Sequence, residues 1–286
     1  MFEIADRLLA AQRPLAVATA VQIDGSAPRT VGTSMAFDGS AVIGSIAGGC
    51  VEGAVVEVAA RVLETGVAET VDFGVDDETA MSVGLTCGGA IRVHVQPFTD
   101  DLRSALAEGQ PIEVCGYVDR PAPQRRMIIL GAMDFSAALA SAATALGYRV
   151  TVCDPRSLFA TQERFATSEV VVEWPTSYLA RTAIDDHTVI CVLSHDWRFD
   201  AEALAIALRS PAGYVGAMGS RVTDARRRAS LDELGVSHDR LHSPIGLDLG
   251  ASTPAETAVS ILAEVLASRR GSTAEPLFVR EGAIHA

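Results

Sequence analysis

No segment of the chain approaches the ~20 uninterrupted apolar residues that a bilayer-spanning helix needs, so no membrane helix is expected. Basic charge is also scarce. Lys and Arg number 23 against 36 Asp and Glu, for a net charge of −13. A general nucleic-acid binder needs a basic face to neutralise phosphates, and none stands out. Arg226, Arg227 and Arg228 fall in a run with helical character and read as a solvated helix face. Aromatic residues make up only 5% of the chain although 49% is hydrophobic. Ala and Val supply most of that fraction, which suits helices packed on parallel strands. There is no CxxC pair. The five cysteines are odd in number and widely spaced, which argues against a structural zinc site or a disulfide framework. Cys115, Cys153 and Cys191 sit in apolar, strand-like runs and are expected as small core residues. Cys50 and Cys87 differ, because each adjoins a glycine pair. The opening segment carries Glu3 and Asp6 where a signal peptide is basic, and a cytoplasmic location is expected.

Periodicity predicts a short amphipathic helix over Phe2–Gln12, a strand over Leu15–Ile23 and a loop over Asp24–Thr30. A hairpin turning at Asp38-Gly39 follows, with the two-residue type I′ turn that this pair favours. Val51–Glu64 is strongly helical. Strands are predicted over Glu69–Phe73, Ala90–Pro97 and Ile112–Tyr117, with a helix near Asp101–Glu108. From Met127 the pattern becomes regular strand–helix alternation, which argues for a doubly wound parallel sheet. The last helix has a clear start, with Thr253 as cap, Pro254 at its first position and Glu256 as a capping-box carboxylate. The expected fold class is α/β. An N-terminal mixed α/β domain (1–118) and a proline-bearing linker (119–125) precede a Rossmann-like C-terminal domain (126–271) and a tail (272–286).

Two loops carry the chemistry. Gly44-Ser45-Ile46-Ala47-Gly48-Gly49-Cys50 lies between a strand and a helix. Paired glycines allow positive φ there, and amides at a helix N-terminus form an anion site. A thiol in that position is favoured as the thiolate. The competing reading is a tight connection around a buried, inert cysteine. Arg29, in a Gly/Pro-bearing loop, can clamp a phosphate bidentately or serve as an ordinary surface residue. Cys87-Gly88-Gly89 repeats the thiol-plus-glycine pattern. Two thiols near an anion cradle suit a soft metal, sulfur transfer or a redox pair.

Gly25-Ser26-Ala27-Pro28-Arg29, Gly44 to Glu52, and Cys87-Gly88-Gly89 together resemble the N-terminal signature of the XdhC/CoxI family. The C-terminal half is similar too, in Ser194-His195-Asp196, Tyr214 to Arg221, Pro244 to Gly250 and Thr253 to Glu256. The resemblance implies a maturation factor that binds molybdenum cofactor (molybdopterin or its nucleotide form) and protects it or assists its sulfuration. Such a factor delivers the cofactor to an apo-molybdoenzyme of the xanthine dehydrogenase or CO dehydrogenase type, as an insertion chaperone rather than a catalyst with turnover. It further implies cooperation with a cysteine desulfurase in some systems, and a homodimer is a further possible assembly. On this reading Arg29, Gly48, Gly49, Glu52, Gly88 and Gly89 belong to the cargo site, and Cys50 and Cys87 lie near molybdenum or carry sulfur.

In the C-terminal half, Gly131-Ala132-Met133-Asp134 keeps only the first glycine of a dinucleotide fingerprint. Met133 stands where pyrophosphate approaches the backbone, and Asp134 adds negative charge. Family members usually read closer to Gly-Ala-Gly-His here, so the chain departs from its own family. Asp154 falls where a ribose-binding carboxylate belongs, or is a turn residue before Pro155. Topology is expected to survive without tight NAD(P) binding. His195 and Asp196 follow a strand at the ligand-binding edge. Ser220 is read as a helix cap or, with Arg221, as a phosphate contact, and Asp248 as a ligand contact or a turn residue. Two other function classes compete: an NAD(P)-dependent oxidoreductase and a persulfide-forming sulfurtransferase.

Overall fold

The computed structural model describes residues 1–25, 29–74, 90–194, 196 and 199–279. These form two compact units, Met1–Ala122 and Pro123–Pro276, with the short turn Leu277–Val279 grouping with the first.

The first unit is built on a five-stranded antiparallel sheet in the order β3 (Val42–Gly44), β2 (Ser34–Phe37), β1 (Ala16–Asp24), β5 (Ala90–Pro97), β4 (Glu69–Phe73). β1 is central and its first five residues are buried on both faces. Ala16, Ala18 and Ala20 meet α2 (Glu52–Thr65), which contributes Val55, Val58 and Val62. Fully burying each such valine is worth about 1.5–3 kcal/mol. Val17 faces the other way, into a cluster with Ile4 and Leu8 around α1 (Ala5–Ala10), Leu106 of α3 (Asp100–Ala107), and Ile112 and Val114. The small side chains of β1 thus let two layers close on one strand.

Two turns differ from expectation. The hairpin after Phe37 exists, but Phe37 pairs with Val42, leaving a four-residue loop instead of a type I′ pair. The Asp38 carboxylate organises it, accepting from the amides of Ser40 (2.8 Å) and Ala41 (2.6 Å). That side chain offers the turn backbone an alternative to two-residue geometry. Ile112–Tyr117 is likewise not one strand. It folds into β6 (Ile112–Val114) and β7 (Tyr117–Asp119), joined through Cys115 and Gly116, both at positive φ (47° and 81°). The type I′ turn is therefore here, and Cys115 is an exposed turn residue, not the core residue expected. A non-glycine side chain in this region costs about 1–2 kcal/mol. Cys115→Gly is accordingly expected to raise the denaturation midpoint slightly, whereas Cys115→Val should lower it. Asp119, read as the start of the linker, ends β7 and is buried.

The second unit is a six-stranded, wholly parallel sheet: β10 (Glu169–Val171), β9 (Arg149–Cys153), β8 (Arg126–Leu130), β11 (Thr188–Val192), β12 (Tyr214–Ala217), β13 (Leu241–His242). Counted within the unit this is the doubly wound order 3-2-1-4-5-6, as the strand–helix alternation predicts. β8 and β11 are buried along their whole length, so both faces are covered. α4 (Asp134–Ala145) and α8 (Pro254–Arg270) pack on one face. α5 (Pro175–Arg181), α6 (Asp200–Arg209) and α7 (Arg221–Glu233) pack on the other. The capping box of Thr253 and Glu256 forms as expected. The chain leaves β8 toward one side of the sheet and β11 toward the other. The crevice between their carboxyl ends is the topological switch point.

Candidate functional site

In the first unit the site grows from the loop between β3 and α2. α2 lacks an ordinary cap, because Val51 precedes it and offers no side-chain acceptor. Glu52, its first residue, folds back instead. Its Oε1 accepts from Ser45 Oγ (2.6 Å) and from the amides of Ile46 (3.1 Å), Ala47 (2.9 Å) and Gly48 (2.9 Å). Its Oε2 accepts from the amides of Gly49 (2.8 Å) and Val51 (3.2 Å). Gly48 and Gly49 have φ of +80° and +120°, the conformation that turns successive amides inward. Partial burial works against the Glu52 charge. The donors from Ser45, Ala47 and Gly49 outweigh it and bring the carboxyl down to about 2. The loop is thus an anion cradle, and the anion in it is the chain's own carboxylate. Cys50 lies at its tip, partly exposed and without a disulfide.

Arg29 donates through Nη2 alone to both carboxylate oxygens of Glu3, at 2.6 and 2.7 Å. Glu3 is exposed and Arg29 half-buried, so solvent screens the pair and it holds Arg29 only weakly. Cys87, Gly88 and Gly89 lie outside the described residues, as does His195.

In the second unit Gly131 directly follows β8 with φ +105° and sits against Ser194, the residue that follows β11 by two positions. Ser194 is buried, and its hydroxyl donates to Asp200 Oδ1 (2.5 Å). Asp200 Oδ2 accepts from Arg227 Nη2 (2.9 Å). Arg227 also donates to the carbonyls of Met218 (2.5 Å) and Ser194 (3.2 Å). This arginine is only 5% exposed, which corrects the reading of Arg226–Arg228 as a solvated face. Arg227 lies four residues before the buried Leu231, on the same helical face. The network ties the end of β11 to the start of α6 and to α7, and the sequence reading missed both Asp200 and Arg227. Asp196, expected at the ligand edge, is half-buried just before it.

The remaining candidates divide. Ser220 caps α7, accepting from the Thr223 amide (3.2 Å), while Arg221 and Asp248 are exposed. Asp154 is 1% exposed at the end of β9. Its oxygens accept from the Ala132 amide (2.8 Å) and from Arg156 Nε (2.9 Å), Nη2 (2.7 Å) and its amide (2.9 Å). Burial opposes its charge, but Arg156 and the Ala132 amide prevail and keep the carboxyl below its usual range. The carboxylate that would hold a ribose is thus already engaged, and Met133 is 40% exposed at the pyrophosphate position. Calorimetric titration with NAD or NADP is expected to give no saturable heat; a micromolar Kd would contradict this. A further half-buried set, also missed, links Glu264 to Tyr214 Oη (2.6 Å), His242 Nδ1 (3.1 Å) and the Gly246 amide (2.7 Å). Cys153 and Cys191 are core residues as expected, and burial pushes the Cys153 thiol up to about 12. Among the described residues no cluster of three or more His, Cys, Asp or Glu side chains could hold a metal ion. No described helix is long and apolar enough to cross a membrane.

Two family models match the chain: the XdhC and CoxI family over residues 8–74 and the XdhC Rossmann domain over residues 127–265. The chain is 26% identical to a Bacillus subtilis protein named as a probable xanthine dehydrogenase subunit, covering 93% of this chain and 96% of that one. It is 28% identical to the Escherichia coli molybdenum cofactor insertion chaperone PaoD, covering 88% and 82%. It is 30% identical to the uncharacterized E. coli protein YqeB, where 88% of this chain matches but only 43% of the longer relative. A crystal structure described as a xanthine dehydrogenase from Bacillus halodurans superposes with a TM-score of 0.81 at 24% identity, over 97% and 98% of the two chains. At that identity the likeness establishes a shared fold.

Proposed function

Because the chain belongs to the XdhC and CoxI family, we propose that it binds molybdenum cofactor and hands it to an apo-molybdoenzyme of the xanthine dehydrogenase type. The observation that carries this reading is Cys50, a partly exposed free thiol at the tip of a loop fixed from within by Glu52. A soft thiolate donor suits a molybdenum complex held through sulfur, and a preset loop lets it act without reordering. Arg29 is the group that meets the cargo's phosphate. Exchanging exposed Glu3 for a dianionic phosphate costs little, since such surface pairs contribute about 0–1 kcal/mol, and the guanidinium fork matches phosphate geometry. Cys87 is the second thiol of this assignment, and His195 and Asp196 are candidates for contacts with the cargo. Protection or assisted sulfuration of the cofactor, cooperation with a cysteine desulfurase and a homodimeric state belong to the same proposal.

The test is retention. The protein is loaded anaerobically with molybdenum cofactor, passed through gel filtration and assayed for bound molybdenum. Cys50→Ala and Arg29→Ala are each expected to lose most of the bound metal while keeping the wild-type circular dichroism, and Cys87→Ala to lose part. Full retention in all three variants refutes the assignment.

A further inference from the structure

The Ile46–Val51 loop has the form of a phosphate cradle, yet its donors are spent on one carboxylate. Five backbone amides and the Ser45 hydroxyl converge on the two oxygens of Glu52. A cargo phosphate in the same place would have to break all six of these hydrogen bonds and leave the carboxylate to find new donors. The glycines point the same way. A Cβ built on Gly48 or Gly49 meets nothing within 4 Å, so close approach of another group is not what keeps those positions small. Their positive φ is the requirement, and it is this backbone shape that aims the amides at Glu52. On the other side Val51, Ile46 and Ala47 are buried against the α2–β1 core, with Cys50 packed at its margin. The loop is therefore held between a hydrophobic anchor and an internal anion, with Cys50 between the two.

We infer that Glu52 is a positioning residue for the Cys50 thiol: its carboxylate is the anion round which the loop is built, and the cargo's phosphate is bound by other groups. The role of Cys50 as cargo-facing thiol rests on the function proposed above, but the positioning is measurable on the cargo-free chain. Removing the carboxylate leaves five amides aimed at an empty space the size of a small carboxylate, and formate added from solution fills it.

The experiment follows alkylation of Cys50 by iodoacetamide, resolved from the other cysteines by peptide mass spectrometry, in wild type, Glu52→Ala and Glu52→Gln. In Glu52→Ala the Cys50 rate is expected to differ from wild type by at least about fivefold. Added formate returns it toward the wild-type value, and the exposed Cys115 in the same digest reports no change. Glu52→Gln, whose side chain fills the space but sets an NH2 donor against amide donors, is not rescued. Formate leaves the wild type unaffected because its cradle is full. An unchanged Cys50 rate in Glu52→Ala, or a changed rate that ignores formate, overturns the inference. Should the Glu52 variants not fold, Ser45→Ala, which removes one of the six donors and keeps the carboxylate, decides the matter: a Cys50 rate changed from wild type supports the inference, and an unchanged rate overturns it. Formate rescue with no molybdenum retained by the wild type leaves the positioning intact and defeats the cargo reading. Retention by the wild type without rescue defeats only the positioning.

Discussion

Asp200→Ala is expected to destabilise the second unit by about 3–5 kcal/mol, because it leaves the buried Arg227 guanidinium without its counter-charge. The pair is well enclosed, with side chains only 5% and 8% exposed, so water cannot replace the lost carboxylate. Ser194 loses its acceptor in the same step. Both tryptophans, Trp174 and Trp197, fall in this half of the sequence, so denaturant unfolding followed by their fluorescence reads this unit. A loss of that size should move the thermal midpoint by roughly 10 °C. Removing both charges together, as Asp200→Ala with Arg227→Met, should recover part of the loss, since the single variant's penalty is largely an orphaned charge. A single variant within about 1 kcal/mol of wild type would show that the network is not what closes this edge of the sheet.

Gly131→Ala should be nearly as costly, for a different reason. The residue sits at φ +105°, where an L side chain is strained. Its Cβ would also lie 2.8 Å from the Ser194 amide nitrogen and 3.1 Å from the Ser194 Cα. Backbone cannot rotate away as a flexible side chain can, so β8 and β11 would have to separate at their carboxyl ends. The strain and the clash together are expected to cost about 3 kcal/mol or more. Gly147→Ala provides the control. It has a comparable positive φ of +81° but open space around the added atom, and it should cost only the conformational part, about 1–2 kcal/mol. Equal losses in the two variants would show that the Ser194 contact contributes nothing.

The parallel sheet of the second unit was legible because fully buried strands read as short continuous apolar runs, and β8, β9 and β11 do. The hairpins were less so. Nothing in the local pattern of Ile112–Asp119 distinguishes one strand from two three-residue strands joined by a turn except Gly116, and Cys115 is not a residue that ordinarily announces positive φ. The anion cradle was visible in Gly48-Gly49 before a helix. That the helix's own first residue fills it was not, because a glutamate at that position reads equally as a ligand contact or a dipole partner. Arg227 was misplaced for a related reason: three consecutive arginines look solvated, and only the i, i+4 relation to Leu231 puts the middle one on the buried face. Asp200 gives no sequence sign of its partner, which lies 27 residues away.

The engaged state of Asp154 and the substitution of Met133 for a fingerprint glycine bear on the same point. The second unit keeps dinucleotide-binding topology while its phosphate and ribose positions are taken by the chain's own side chains. A family with this topology need not use a nicotinamide cofactor, because function lies in the site and not in the fold.

The cargo role is tested most directly by transfer. The protein is loaded anaerobically with molybdenum cofactor, freed of unbound cofactor and mixed with a molybdenum-free xanthine dehydrogenase-type apoenzyme. The result expected is molybdenum and activity gained by the apoenzyme faster than from the same concentration of free cofactor, with Cys50→Ala giving no such advantage. No molybdenum carried through gel filtration, or transfer no faster than from free cofactor, would contradict it.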